Sequence, residues 1–132
     1  MLIEQALLTQ LKTDSAIAAL VGTRIYYVIS PQDVQKPYIV ISKISAVRVS
    51  SHDGSSGLAN PRFQISCFAL TYKEVKDIAV AVQAELEGYT GTMGGAGGVA
   101  VNGCFYENET DLYEEENKLF HLALDFTLWH QE

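Results

Sequence analysis

The chain has 132 residues, 48% of them apolar and 19% charged, a ratio that fills a packed core and excludes intrinsic disorder. At this length folding hides roughly two thirds of the unfolded chain's surface, so neither a disulfide nor a metal is needed to support the core. Nine basic residues against sixteen acidic ones give a formal charge of −7, the wrong sign for gripping phosphates through counterion release, and no tight nucleic-acid binding is expected.

Leu2, Ile3, Ala6, Leu7 and Leu11 recur every three to four residues with Glu4, Gln5, Gln10 and Lys12 between them, which predicts an amphipathic helix from Leu2 to about Lys12. Thr13, Asp14 and Ser15 all carry oxygens able to cap a new turn. Ala16 to Leu20 then reads as a short helix stopped by Gly22. Arg24 to Ile29 is β-branched and aromatic, and Ser30-Pro31-Gln32-Asp33 closes it, so a short edge strand is expected. Tyr38 to Val47 is a longer strand, apolar on both faces at first and alternating later. Ser50 to Gly57 has almost nothing apolar to bury and reads as a solvated loop.

In Arg62 to Leu70 the alternation puts Phe63, Ile65, Cys67 and Ala69 on one face of a strand. Thr71-Tyr72-Lys73-Glu74 follows as a capping box. Val75, Ile78, Val82 and Leu86 form a 3.6-residue stripe, and Gly88 ends the helix. Burying four such side chains at about 1.5–3 kcal/mol each outweighs the few tenths that separate their intrinsic helix propensities, so packing holds this helix. Gly91 to Gly98 reads as a flexible glycine-rich connection, and Val99 to Tyr106 as a strand. Phe120, Leu122, Leu124, Phe126 and Leu128 mark a long final strand with one buried side, with His121, Asp125 and Thr127 opposite. The expected fold class is α+β, a mostly antiparallel sheet with helices packed on one face, in a single domain over residues 1–132.

Chemistry is sparse in this pattern. The glycine cluster lacks the Lys-Ser/Thr ending of a phosphate loop and leads into a strand, so a hairpin is the plainer reading. His52, His121, His130, Cys67 and Cys104 lack the spacing of a structural zinc site, and the two cysteines read as small apolar core residues. A trio of Cys67, His121 and Asp125 has no spacing to support it. No cofactor, no metal and no catalysis are expected. Glu107, Glu109, Asp111, Glu114, Glu115 and Glu116 crowd the link before the final strand. They suit a solvated hairpin tip better than a contact for a basic partner or a calcium loop, which needs a turning glycine. Tyr26, Tyr27, Tyr106 and Tyr113 are either strand residues or interface aromatics. Glu4, Lys12 and Asp14 interrupt any apolar leader at the start of the chain, and no run approaches the ~18 apolar residues of a membrane span. A reducing cytoplasm, with both cysteines as thiols, is the expected place of synthesis.

Leu20-Val21-Gly22-Thr23-Arg24-Ile25-Tyr26, Pro37-Tyr38-Ile39-Val40, and Phe63 to Ala69 running into Thr71-Tyr72 and a helix together resemble the tail-completion family of tailed bacteriophages and prophages. The closing strand, Phe120 to His130, is similar to the end of such chains. The resemblance implies a virion protein that assembles into a ring of copies, as a hexamer, at the head–tail junction or the end of the tail tube. There it serves as a completion, terminator or connector subunit beside tail-tube and head-completion proteins. A ring needs two different complementary patches on each subunit. The expected contacts are the edge carrying Arg24, Tyr26 and Tyr27, the loop with Ser51, His52 and Asp53, and Arg62. Glu109, Asp111, Glu114, Glu115 and Glu116 are then candidates for an acidic lumen that lets DNA pass without sticking. Two other classes fit the composition: a monomeric tail-assembly adaptor, and a small-molecule binding domain with an apolar pocket.

Overall fold

A computed structural model describes residues 1–46, 48–51 and 54–131, with 48–51 and 54–57 traced by their backbone. The periodic apolar runs become three helices: α1 (Ile3–Thr13), α2 (Ser15–Val21) and α3 (Tyr72–Leu86). The corner between α1 and α2 is set by Asp14, whose carboxylate accepts the Ile17 amide at 3.0 Å. Gly22, at φ 62°, ends α2. The Thr71 hydroxyl accepts the Glu74 amide at 3.2 Å and opens α3, the Thr half of the expected box.

The strands are β1 (Ile25–Tyr27), β2 (Tyr38–Ser45), β3 (Arg48–Ser51), β4 (Gly54–Ala59), β5 (Arg62–Ala69), β6 (Gly91–Met93), β7 (Val99–Glu114) and β8 (Leu119–Gln131). All belong to one sheet. β1 joins β2 in parallel, and every other pairing is antiparallel. Across the middle the order runs β1-β2-β5-β8-β7, with β4 continuing the β5 side of β8 and β6 lying outside the start of β7. The sheet is therefore mixed but mostly antiparallel.

One sheet face and all three helices share the main core. Ile39 and Ile41 of β2, the Phe63-Ile65-Cys67-Ala69 face of β5 and Leu122 to Leu128 of β8 interlock there with Leu7, Leu11, Ile17, Ile78, Val82 and Leu86. The opposite face of β8 is not wholly solvated, as its alternation suggested. Tyr38, Val40, Phe68 and Leu119 form a second buried cluster, against which Tyr26 and Val34 pack. Four rings step across the sheet there: Tyr26 to Tyr38 at 6.5 Å, Tyr38 to Phe68 at 4.7 Å and Phe68 to His121 at 4.2 Å. Offset aromatic contacts of this kind add specificity beyond burial.

Three other expectations are corrected. Arg48–Ser51 and Gly54–Ala59 pair as the antiparallel strands β3 and β4, where the sequence suggested a loop; these polar strands are held by main-chain pairing, Arg48 opposite Ala59 and Ser51 opposite Gly54. His52 and Asp53 lie outside the described residues. The glycine cluster is not a plain flexible link, because Gly91–Met93 pairs with Val99–Val101 as a short hairpin. The acidic stretch is mostly strand: β7 continues to Glu114 opposite Leu119, leaving only residues 115–118 for the turn.

Candidate interaction surfaces

β1 is the free edge at one end of the sheet. Arg24, Tyr26 and Val28 turn their main chain toward β2, as the bonds from the Ile39 amide to the Arg24 carbonyl (3.0 Å) and from the Val28 amide to the Ile41 carbonyl (2.8 Å) show. The outward groups are partly consumed by two tight turns. The Ile25 amide donates to the Thr23 carbonyl at 2.8 Å, and the Ile29 amide to the Tyr27 carbonyl at 2.6 Å. The second turn forces Val28 to φ 63°, a strained setting for a β-branched residue. It leaves Val28 and Ile29 74% and 77% exposed. An edge blunted in this way offers apolar side chains more readily than main chain.

Beside this edge lies a groove of about 380 Å³ walled by Leu2, Tyr27, Val28, Ile41, Lys43 and Phe63. Tyr27 is anchored in it by its hydroxyl, which donates to the Glu4 carbonyl at 3.1 Å. Lys43 forms an ion pair with Glu4. Burial by itself works to raise the Glu4 carboxyl, and the Lys43 bond and charge win, holding it below the usual carboxylate value. A second groove, about 360 Å³, continues past Met1 and Ile3 to Ala59, Val99 and His130.

The opposite edge is β7. Phe105, Leu112 and Tyr113 are about half exposed along it, and the carboxylates cluster there. Glu109 pairs with Lys76 of α3 at 3.5 Å, and Asp111 accepts the Tyr72 hydroxyl at 3.0 Å. Burial by itself works to lower the Lys76 ammonium, and the charges of Glu109, Tyr72 and Asp111 together outweigh it and push the group up. Glu114 ends the strand, and Glu115 and Glu116 are exposed in the turn. The solvated-tip description thus fits Glu115 and Glu116, whereas Glu109 and Asp111 brace the hairpin against α3.

The other expected contact residues are separated. Arg24 donates from Nε to the Pro37 carbonyl at 2.8 Å, and Tyr26 packs its ring toward Tyr38. Arg62 pairs with Asp125 across β5 and β8 at 2.9 Å. Ser51 ends β3. Val28 and Ile29 belong to the expected Arg24 to Ile29 edge, whereas Phe105 lay outside the expected contacts because an apolar strand residue carries no mark of the face it occupies.

Among the described residues no three His, Cys, Asp or Glu side chains come together to hold a metal. Both cysteines are buried and free. Burial, aided by the Glu109 charge, pushes the Cys67 thiol far up; burial and Glu87 push Cys104 up to about 12. A thiol so protonated is a poor nucleophile. Burial also lowers the His121 imidazole, against the pull of Glu114. Among the described residues no helix is long and apolar enough to cross a membrane.

Residues 5–131 match the family model of the tail completion protein gp17. The fold is similar to that of a chain in a solved structure of the virion of a native gene transfer agent particle, with a TM-score of 0.80 and 23% identity, over 97% of this chain and 94% of that one. Comparison with curated proteins finds no match. The family match extends from the first turn of α1 to the last residue of β8, so it takes in the β1 and β7 edges, the acidic hairpin and both grooves apart from their Met1 to Glu4 walls. The chain belongs to the bacteriophage tail completion protein gp17 family.

Proposed function

We propose that this chain is a structural subunit of the virion of a tailed phage or phage-like particle, and that it completes the tail as a ring of copies, a hexamer by the resemblance of its sequence. It is made in the bacterial host's cytoplasm and seated at the head–tail junction or the end of the tail tube, between tail-tube and head-completion or connector proteins. The family match over residues 5–131 carries this reading. Its work is surface fit, with no bond made or broken. The proposed contacts are the β1 edge with Arg24, Tyr26 and Tyr27, the segment of sequence with Ser51, His52 and Asp53, and Arg62. Glu109, Asp111, Glu114, Glu115 and Glu116 then line or border a lumen whose negative charge repels phosphates and lets a duplex pass.

The test is the mass of the purified chain by light scattering, alone and mixed with isolated tail tubes. A closed multimer in either sample is expected. A variant lacking residues 51–57 should keep its melting transition and lose the multimer. A monomer under both conditions sinks the ring, and assembly by the deletion variant sinks the contact assigned to Ser51, His52 and Asp53. Duplex retained by the ring at physiological salt contradicts the lumen assignment.

A further inference from the structure

A third cavity, a notch of about 210 Å³, opens between the first turn of α3 and the β7–β8 hairpin. Strand register gathers its lining on one face: Asp111 is opposite Leu122 and Tyr113 opposite Phe120. That face meets α3, since Asp111 bonds to Tyr72, Phe120 packs on the main core and Leu122 is part of it. Val75 and Leu122, both buried, form the floor, and Tyr72, Tyr113 and Phe120 form the walls. The Phe120 ring is inclined at 66° to Tyr72, centroids 5.9 Å apart, and at 59° to Tyr113, centroids 4.9 Å apart. The three rings thus line the notch as a cage, not as a stack. Tyr72 and Tyr113 are 44% and 49% exposed, so the cage is open to a partner. Sites that take a whole small molecule measure roughly 300–1,000 Å³; this one has room for a single large side chain.

Charge selects the kind of side chain. Asp111 lines the notch, and its Oδ2 accepts the Tyr72 hydroxyl, a neutral donor, at 3.0 Å. Among the described residues no cation pairs with Asp111. The nearby cations are engaged, Lys76 with Glu109 at 3.5 Å and Lys73 with Asp77 at 3.0 Å, and Glu74 in the first turn of α3 offsets the positive end of that helix. Glu109 balances Lys76, so Asp111 leaves the notch one negative charge in excess. An apolar occupant would seal that carboxylate from water without a counter-charge, which is costly. A cation supplies the counter-charge and is drawn to ring faces as well. The Tyr72 ring already attracts one, the Lys76 ammonium, 5.8 Å from its centroid.

We propose that this notch binds one arginine side chain of a partner protein other than a copy of this chain, with the guanidinium against the Tyr72, Tyr113 and Phe120 rings and donating to Asp111. Arginine suits it better than lysine, because a planar guanidinium lies on a ring while its N–H fork reaches a carboxylate, and it gives up less hydration than an ammonium does. The chain's own arginines are Arg24, Arg48 and Arg62. Two of them are spent within the chain, Arg24 on the Pro37 carbonyl and Arg62 on Asp125, which favours a different protein as the donor. The site stands on its own geometry and does not depend on the ring; on the ring reading, Asp111 belongs to a joint at the border of the lumen.

The test is an NMR titration of the full chain with Nα-acetylarginine methylamide, read at the ring signals of Tyr72, Tyr113 and Phe120. Saturable shifts confined to these rings and their neighbours are expected. The citrulline analogue, which has the same shape without the charge, should bind at least about tenfold more weakly. Asp111→Asn keeps an oxygen for the Tyr72 hydroxyl and removes only the charge; it should weaken arginine binding by about tenfold and leave the melting temperature unchanged. Equal binding of the citrulline analogue, or unchanged affinity in Asp111→Asn, overturns the site. Tighter binding of the lysine analogue or of tetramethylammonium overturns the assignment to arginine. Light scattering separates the two kinds of partner: Asp111→Asn should have the mass of wild type, and loss of a wild-type multimer would give the notch to a second copy and overturn the foreign partner. A wild-type chain that stays monomeric with and without tail tubes sinks the ring and leaves this site standing.

Discussion

Gly98→Ala separates a built turn from a slack glycine linker. A Cβ at Gly98 would overlap the Met93 carbonyl oxygen and stand 2.9 Å from the Gly95 carbonyl oxygen. Both are main-chain atoms, and the Gly98 amide already donates to Gly95 at 3.0 Å. The clash cannot be relieved by a side-chain rotation; the turn must open and loosen the β6–β7 hairpin. Overpacking a fitted site costs about 1–3 kcal/mol, and a backbone obstacle places this change near the upper figure, about 3 kcal/mol. With an unfolding entropy of roughly 2.1 cal/mol/K per residue, the melting temperature should fall by roughly 10 °C. Gly95→Ala is the internal comparison. Its Cβ meets nothing within 4 Å, and only its φ of +82° opposes the change, which costs about 1 kcal/mol and roughly 4 °C. The assay is calorimetry or circular dichroism of both variants in one buffer. Equal shifts, or no shift in Gly98→Ala, would mean that the segment rearranges freely and that the turn is not built as described.

Two further outcomes follow from the titratable groups. Burial and the nearby Asp14 carboxyl hold the Glu85 carboxyl above its ordinary value of 4.5, despite the bond it accepts from Gln10 at 2.6 Å. A carboxyl raised on folding supports the native state when protonated and loses that support as pH rises through its folded value. Glu85→Gln should therefore melt higher than wild type at pH 7, and the gap should close below about pH 4.5. A lower melting temperature at pH 7 refutes the sign. Cys67 and Cys104 should resist a thiol reagent at pH 8 until the chain unfolds, since both are buried and the Cys104 thiol is pushed up to about 12. Labelling of the folded protein at the rate of a free thiol would contradict that burial.

Local chemistry made much of this fold legible in the sequence. The α1 and α3 stripes, the Asp14 and Thr71 caps and the inward faces of β5 and β8 are each written in residues that are neighbours along the chain, so periodicity alone reads them. The resemblance of three hydrophobic segments to the tail-completion family agrees with the family match. The segments whose structure differs from their local pattern are those where side chains carry no signal. Ser50, Ser51 and Gly54 to Gly57 look like loop because their strand is held by main-chain hydrogen bonds to a partner, which no side chain announces. Gly91 to Gly98 looks slack until Ala6 and Met1 close on Gly94, whose Cβ would stand 2.8 Å from each.

Which apolar residues stay outside was likewise decided by tertiary structure. Ile25 and Ile29 are alike in sequence, yet one is 3% exposed and the other 77%, because a turn at Val28 carries the chain off the sheet. Phe105 and Phe126 differ only in the face their strand turns to the helices. The chain's own pattern determined the helices, the core strands and the excess of negative charge. Register and chain path, which depend on contacts between residues far apart in sequence, decided that Glu109 and Asp111 of β7 stand beside α3 and that an apolar groove opens beside β1.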